Sequence, residues 1–322
     1  MNTVFESHFK EYIKGLLLQK HALGYPYTGS ERILKTFDRF CIENFPDETE
    51  LTKEIGMKWA QIKPTEHANG FRNRLMPTRE LAKYMHSIGM NAFLIPVDLA
   101  RKTSRPPVHV FTYEELGTFF AAADSLPYKT NTPAKHLIVP VFFRMLYCCG
   151  LRPGEARNLL TKNVSLYAGV IHILESKGHK DRNVILSEEL RLLCHKYDKQ
   201  VEEIFPGRNY FFPSLLDRPY TKPWLKKTFW LLWKRQGITQ FSGGTPNPYS
   251  FRHTFATNCL YNFIKDGRDV NACLPYLSAY MGHEQLSDTA YYMHLVPEFF
   301  PQMADMSNSS KLIPEVDYED ER

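Results

Sequence analysis

The sequence predicts a mainly α-helical protein with one small β-hairpin, arranged as two bodies. Apolar residues recur at helical spacing along most of the 322-residue chain. β-branched residues flank a polar turn at a single place, around 170 to 186. The stretch 101 to 107, Arg-Lys-Thr-Ser-Arg-Pro-Pro, reads as a linker, because it is polar and its prolines favour extended backbone. With 43% hydrophobic residues, both bodies can bury a core.

The first hundred residues predict four helices. The apolar spacing places one over 4 to 18 and a second after Gly29, with Ser30 as its N-cap. Two more are expected over 51 to 61 and 67 to 90. The fourth helix carries four basic side chains, which either face a phosphate backbone or form a solvated basic surface: Arg72, Arg74, Arg79 and Lys83.

The second body begins after the linker, so we divide the chain into 1–105, 106–311 and an acidic tail, 312–322. Thr112 and Glu115 form a capping-box pattern at the start of a helix. A nearly all-apolar helix over 134 to 149 is expected to be the centre of the core.

Two arginines in the second body are predicted at helix starts. Pro153 suits the first turn of a helix, which puts Arg152 at its N-terminus. Arg252 opens a second helix, after the prolines of the segment Asn-Pro-Tyr-Ser-Phe-Arg-His-Thr-Phe-Ala-Thr. Free N–H groups and a guanidinium at such a position favour a phosphate. Between the two arginines, the predicted hairpin carries Lys177 in its turn, and a further helix is expected over 224 to 233.

Composition narrows the class of protein. A net charge of +5 is compatible with a nucleic-acid partner without proving one. The six cysteines include no Cys-x-x-Cys pair, which indicates reduced thiols in a cytosolic protein. The N-terminus lacks a basic region followed by an apolar core, and no apolar run reaches the roughly 18 residues that a membrane span needs. We therefore expect a cytoplasmic protein outside the membrane.

Four motifs in order resemble the tyrosine recombinases, the phage-integrase family, over roughly residues 106 to 300. Gly-Leu-Arg-Pro-Gly-Glu-Ala resembles the family's first-arginine motif, and Ser-Lys-Gly-His-Lys-Asp-Arg its hairpin lysine motif. Phe-Arg-His-Thr-Phe-Ala-Thr resembles the second-arginine motif. Met-Gly-His, ending at His283, followed by Tyr292, resembles the nucleophile motif. The N-terminal helical body resembles the family's core-binding domain, and 106–311 its catalytic domain.

The resemblance implies a site-specific recombinase that forms a 3′-phosphotyrosyl bond without metal or cofactor. Tyr292 would attack the phosphodiester, and Arg152 and Arg252 would stabilise its developing charge. Lys177 would protonate the leaving 5′ oxygen, and His283 would hydrogen-bond the phosphate. Glu155 is implied as a buried support, and His253 as an orienting residue. The implied partner is a double-stranded DNA recombination site.

One position departs from the family pattern. The family has histidine three residues before the second arginine, where this chain has Tyr249. A phenol with a reference pKa of about 10 can hydrogen-bond a phosphate but cannot serve as a neutral base near pH 7. The long stretch 266 to 280 resembles the integrases and transposases of mobile elements. Tyr291 competes as nucleophile, but the spacing from His283 favours Tyr292.

Other interpretations stay open from the sequence. One is a catalytically silent DNA-binding relative, for which Tyr249 is the main support. Another is a metal site of His253, His283 and His294, although no pair has close zinc-ligand spacing. An apolar stripe near the C-terminus either packs in its own domain or, as the resemblance implies, docks on a neighbouring protomer of a DNA-bound dimer or tetramer: Phe299, Phe300, Met303 and Met306.

Overall fold

The computed structural model describes residues 4–100, 107–174, 181–235, 237 and 244–296. The chain divides into two compact units, Met1–Arg105 and Pro106–Arg322. Each unit has its own hydrophobic core. The DNA-binding role of the first unit and the catalytic role of the second stay predictions.

The first unit is helical in its described residues. Its core contains Phe9, Ile13, Phe37, Trp59 and Leu75, each almost fully buried, with the Phe37 and Trp59 rings in edge contact at 5.1 Å. The helices are α1 (Lys10–Ala22), α2 (Thr28–Asn44), α3 (Lys53–Trp59) and α4 (Ala68–Ser87), followed by a short 3₁₀ helix (Val97–Ala100).

Two helix starts differ from the sequence prediction. The first helix begins at Lys10 rather than at residue 4, because the Asp38 carboxylate accepts the backbone N–H groups of Glu6 and Ser7 at 2.9 and 3.1 Å. These bonds hold the entering chain against α2 in a non-helical conformation. The prediction of Ser30 as an N-cap is wrong, since α2 begins at Thr28 after Tyr27, whose φ is 46°, and Ser30 lies in the first turn.

The basic side chains of α4 are not one solvated surface. Arg74 is buried and donates to the Glu66 carboxylate at 2.6 and 2.8 Å and to the Gln61 carbonyl at 2.9 Å. Lys83 pairs with Glu80 at 2.9 Å. Arg74 is therefore a structural residue that ties α4 to the segment after α3.

The second unit packs helices around α6, as the sequence predicts. The centre of the core contains Phe119, Phe142, Phe143, Phe229 and Phe251, all fully buried. Its helices are α5 (Tyr113–Asp124), α6 (Lys135–Cys148), α7 (Pro153–Arg157), α8 (Glu188–Ile204), α9 (Lys222–Arg235), α10 (Ser250–Lys265), α11 (Val270–Met281) and α12 (Leu286–Ala290), with short 3₁₀ helices at Thr161–Asn163 and Tyr291–Leu295.

A three-stranded antiparallel sheet lies between α7 and α8 in the chain. Its strands are β1 (Val164–Ser165), β2 (Val170–Ile173) and β3 (Arg182–Ile185), in the order β1-β2-β3. The β2–β3 pair confirms the predicted hairpin, with Ile171 opposite Val184. The sequence reading missed β1, which is only two residues long. The predicted hairpin turn, 175 to 180 with Lys177, lies outside the described residues.

Two further predictions concern residues beyond the described part of the chain. The C-terminal apolar stripe, 299 to 306, and the acidic tail, 312–322, are both outside it. Within the described ranges, none of the helices has the length and apolar character that crossing a membrane requires. All six cysteines are free thiols.

Candidate active site

The first-arginine motif forms a sharp junction between α6 and α7. Gly150 ends α6 with a φ of 58°, a conformation that favours glycine, and a Cβ there would lie 2.4 Å from the Phe255 ring. Arg152 is the N-cap of α7 and Pro153 its first residue, as predicted. The Glu155 carboxylate accepts the backbone N–H of Arg152 at 2.8 Å and its Nη1 at 2.8 Å. The Arg152 guanidinium is therefore held in place by Glu155, in the first turn of the same helix.

Glu155 is the anionic centre of the site. Besides Arg152, it receives both terminal nitrogens of Arg182 from β3, at 2.9 and 2.7 Å. Burial raises the pKa of its carboxyl, but hydrogen bonds and charges from Arg182 and Arg152 outweigh it, so the net pKa is lowered. For Arg152, burial opposes the charged form, yet the carboxylate of Glu155 offsets it and the pKa is raised. Both groups are thus charged at neutral pH.

Arg252 lies in the first turn of α10 and is completely buried. Its Nη1 donates to the Gly150 carbonyl at 2.7 Å, and its Nη2 to the Met281 carbonyl at 2.6 Å. Its Nε makes no hydrogen bond within the part of the chain that the structure describes. Burial lowers the pKa of Arg252 to about 10, so the side chain stays positive at pH 7 and keeps donor capacity for an anion.

The C-terminal end of α11 joins the two arginines. The Met281 carbonyl accepts from Arg252, and the next carbonyl, that of Gly282, accepts from Arg152 at 2.5 Å. Carbonyls at a helix C-terminus carry partial negative charge, which favours guanidinium groups there. Gly282 turns the chain with a φ of 65° and directs His283 back over the helix end, where its N–H donates to the Ser278 carbonyl at 3.0 Å.

His283 is held by a hydroxyl group. Its Nδ1 lies 2.6 Å from the Thr289 hydroxyl of α12. Burial, followed by the charges of Arg252 and Arg152, lowers the pKa of His283 to about 4. The imidazole is therefore neutral at physiological pH, with its Nδ1 occupied and its ring parallel to that of Tyr292 (18°, centroids 6.2 Å apart).

Tyr292 lies in the 3₁₀ helix that follows α12. It is only 4% exposed and packs in a small apolar cluster with Leu260 and Met281. Its hydroxyl lies 3.0 Å from Nδ1 of His253, on α10. Burial raises the pKa of Tyr292 to about 12, although the Arg252 charge acts in the opposite direction. At neutral pH the Tyr292 phenol is therefore protonated, and its hydroxyl contacts Nδ1 of His253.

Tyr249 lies on the solvent-exposed side of these site residues. It is the N-cap of α10, 38% exposed, and its ring centroid is 5.1 Å from that of His253. Together with Arg152 it lines a cavity of about 770 Å³, whose wall also includes Lys222, Lys226 and Trp230. The described residues bring Arg152, Tyr249, Arg252, His283 and Tyr292 to one place, while Lys177 lies outside them.

The sequence reading overlooked one member of this site. Arg182 joins Glu155 to the Tyr280 carbonyl, with its Nε 2.8 Å from that oxygen. In the sequence Arg182 is only the last residue of the hairpin lysine motif, and its neighbours do not indicate that its side chain points towards Glu155. Among the described residues, no group of three or more His, Cys, Asp or Glu side chains is placed to hold a metal ion, and His294 packs on the ring of Tyr291.

The arrangement suits phosphoryl chemistry. Arg152 and Arg252 stay positive, and His283 is neutral. Burial also lowers the pKa of His253 to about 4, so this second imidazole is neutral, and it lies beside the Tyr292 hydroxyl. Such a set can stabilise charge on a phosphate while an oxygen nucleophile attacks it.

Comparison with proteins of known sequence finds integrases and recombinases. A protein of Sinorhizobium fredii, y4rB, to which an integrase or recombinase activity is ascribed, is 27% identical over 306 residues, covering 92% of this chain and 96% of that protein. Tyrosine recombinase XerD of Pseudomonas aeruginosa is 34% identical over 154 residues, 47% of each chain.

Solved structures show the same fold at low sequence identity. The XerH site-specific recombinase, bound to palindromic difH substrate in a post-cleavage complex, matches with a TM-score of 0.63 and 18% identity, over 90% of this chain and 82% of that chain. A lambda integrase dimer bound to a core site matches with a TM-score of 0.60 and 16% identity, over 88% of this chain and 93% of that chain.

The family model for the phage integrase family matches residues 110–298. This range contains every motif described above and spans more than half of the 322 residues. The chain therefore belongs to the phage integrase family.

Proposed function

We propose that the protein is a site-specific DNA recombinase that cuts and rejoins DNA through a 3′-phosphotyrosyl intermediate. The observation that carries this proposal is the hydroxyl of Tyr292, which lies 3.0 Å from His253, is buried, and is influenced by the charge of Arg252. Family membership and the recombinase names of the relatives support the same activity. Integration, excision or transposition of a mobile element is the cellular process we infer.

In the proposed reaction, the Tyr292 oxygen attacks the scissile phosphorus and the bond to the 5′ oxygen breaks. Arg152 and Arg252 stabilise the charge that develops on the nonbridging oxygens, and the bidentate geometry of a guanidinium suits that task. His283, neutral at pH 7, donates a hydrogen bond to the phosphate, and Lys177 protonates the departing oxygen. The phosphotyrosyl bond keeps the energy of the broken phosphodiester, so religation needs no nucleotide.

The proposed partners are a double-stranded DNA recombination site and further copies of the chain. The structural relatives XerH and lambda integrase are bound to their DNA sites, the latter as a dimer. We assign DNA binding to residues 1–105 as well as to the catalytic domain 106–311, and we place the protein in the cytoplasm, where its DNA substrate is. Assembly on DNA as a dimer, and then as a tetramer, completes the proposal.

The test is covalent trapping on nicked DNA. The purified protein is incubated, with a metal chelator present, with a random-sequence library of nicked duplexes, and DNA attached to protein is recovered and sequenced. We expect a defined sequence, an adduct that maps to Tyr292, and no adduct from Tyr292→Phe, which lacks only the attacking oxygen. DNA retained without any adduct identifies a catalytically silent relative, and an adduct on Tyr291 or Tyr249 refutes the assigned nucleophile.

A further inference from the structure

The contact between His253 and Tyr292 is the starting point. The two residues are 39 positions apart, yet Nδ1 of His253 lies 3.0 Å from the Tyr292 hydroxyl, with ring centroids 5.6 Å apart. His283 faces the flat side of the Tyr292 ring and has its own Nδ1 on Thr289. The nitrogen in hydrogen-bond contact with the hydroxyl therefore belongs to His253.

An attacking phenol has to lose its proton during the reaction. Burial raises the pKa of Tyr292 to about 12, so hardly any phenolate is present at pH 7. Tyr249, which replaces the usual histidine, is itself a phenol and cannot accept that proton near neutrality. The guanidinium groups are already protonated. The site needs another proton acceptor close to the hydroxyl.

His253 is neutral, as a proton acceptor must be, but with a pKa of about 4 it is a weak base, so it can take the phenolic proton only as the tyrosyl oxygen bonds to phosphorus. Burial first, and the neighbouring Arg252 charge second, lower its pKa to about 4, so the ring is neutral and one nitrogen carries a free lone pair. The bound phosphate then brings negative charge close to the imidazole, which favours its protonated form while the reaction proceeds. Binding of the DNA phosphate should therefore make His253 a better proton acceptor.

We propose that His253 is the catalytic base for Tyr292, a role that rests on the recombinase function proposed above. Its Nδ1 takes the phenolic proton as the tyrosyl oxygen bonds to phosphorus and the bond from phosphorus to the 5′ oxygen breaks. The 5′ oxygen takes its proton from Lys177. In religation, the 5′ hydroxyl gives its proton to the now neutral Lys177 as it attacks phosphorus, the bond from phosphorus to the tyrosyl oxygen breaks, and the His253 imidazolium returns its proton to that oxygen.

A base can be separated from a residue that only orients Tyr292. In His253→Asn, the amide oxygen takes the place of Nδ1 and still accepts a hydrogen bond, but it cannot accept a proton. His253→Ala removes both capacities and leaves room for free imidazole. His195→Asn, at an exposed histidine of α8, makes the same change away from the site.

Single-turnover cleavage is measured on the nicked duplex recovered with the wild-type protein. We expect both His253 variants to bind it with unchanged affinity and to cleave roughly a hundredfold or more slowly, the usual contribution of general base catalysis. Imidazole should speed His253→Ala, and His195→Asn should match wild type. If His253→Asn cleaves at the wild-type rate, His253 is not the catalytic base, while the proposed recombinase function still holds. If the wild-type protein itself forms no adduct, the proposed recombinase function is wrong.

A second measurement needs no DNA. In ¹⁵N-histidine NMR spectra of the full-length protein, His253 should carry its proton on Nε2 from pH 7 down to 5, and its Nδ1 resonance should shift in Tyr292→Phe. A proton on Nδ1 would mean that His253 donates to Tyr292, which overturns the proposal.

Discussion

Burial sets the protonation states of His253, His283 and Tyr292. It lowers the pKa of His253 and His283 to about 4 and raises that of Tyr292 to about 12. At pH 7 the three groups are therefore neutral, and the positive charge of the site comes from its arginines, among them Arg152 and Arg252. A phosphate entering the site meets fixed charges that do not change between pH 5 and 8.

Tyr249 is the residue at which the chain departs from its family, and its side chain is the most exposed of the described site residues. If its hydroxyl hydrogen-bonds the phosphate, Tyr249→Phe loses a bond to a charged group, about 1.5 to 3 kcal/mol. Cleavage should then slow by roughly ten- to a hundredfold without disappearing. Single-turnover rates on the nicked duplex measure the effect.

Two controls accompany that variant. Tyr249→His restores the family residue and should retain activity, since imidazole also donates a hydrogen bond to phosphate. Tyr113→Phe, at a strongly exposed tyrosine of α5, should leave the rate unchanged. An unaffected rate in Tyr249→Phe would mean that this position has become structural.

At the scale of elements, Glu155 holds three parts of the second unit together. Its carboxylate binds the N-cap of α7 and Arg182 of β3, and both arginines continue to carbonyls at the end of α11. The carboxylate is 8% exposed and faces two guanidinium groups. Removal of one member of such a buried charge network leaves the others uncompensated.

We expect Glu155→Gln to lower the free energy of unfolding by roughly 3 kcal/mol at pH 7. The folded-state pKa of Glu155 lies below its ordinary value of 4.5, so its contribution is complete above pH 4.5 and is lost as the pH falls through the folded pKa. The stability difference between wild type and variant should therefore shrink in acid. Urea unfolding followed by circular dichroism at pH 7, 5 and 3.5 measures it.

The matched control is Glu188→Gln. Glu188 also pairs with an arginine, Arg191, but on an exposed surface at the start of α8. Its loss should change stability little at any pH, because solvent screens the pair. A Glu155→Gln variant as stable as this control would show that the network does not hold these elements together.

Helix positions followed from the sequence more reliably than helix starts. The capping box at Thr112 is confirmed, because Thr112 and Glu115 are three residues apart and satisfy each other's backbone groups locally. The starts of α1 and α2 depend instead on Asp38, far along the chain, and on the left-handed backbone of Tyr27. A distant partner such as Asp38 leaves no local pattern, and a tyrosine gives no local sign of left-handed backbone.

At the scale of the whole molecule, a net charge of +5 favours DNA through many phosphate contacts. Binding should weaken steeply as salt rises. Arg252→Ala removes one buried charge, so it should change the salt slope by at most about one unit, while cleavage at saturating DNA falls by roughly a hundred- to a thousandfold. Filter binding at several salt concentrations and single-turnover cleavage together test this separation.

Two further variants serve as controls. The first tests whether misfolding explains the effect of Arg252→Ala, and the second should weaken DNA binding without affecting cleavage. Arg252→Lys keeps the charge but loses the planar fork, and it should also bind and fail to cleave. Lys222→Ala with Lys226→Ala, on the exposed side of α9, should flatten the salt slope and spare cleavage at saturation. Parallel loss of binding and cleavage in both Arg252 variants would assign that arginine to DNA positioning.

The helical class, the hairpin and the identity of the motif residues could be predicted from the sequence, because each depends on neighbours a few positions away. Three sets of contacts could not be predicted, because they form only when distant segments pack. The carbonyls of Met281 and Gly282 accept from Arg252 and Arg152, Arg182 pairs with Glu155, and His253 contacts Tyr292. These contacts join residues 27 to 130 positions apart. Burial, which sets their protonation states, exists only once α10, α11 and the 3₁₀ helix of Tyr292 have packed together.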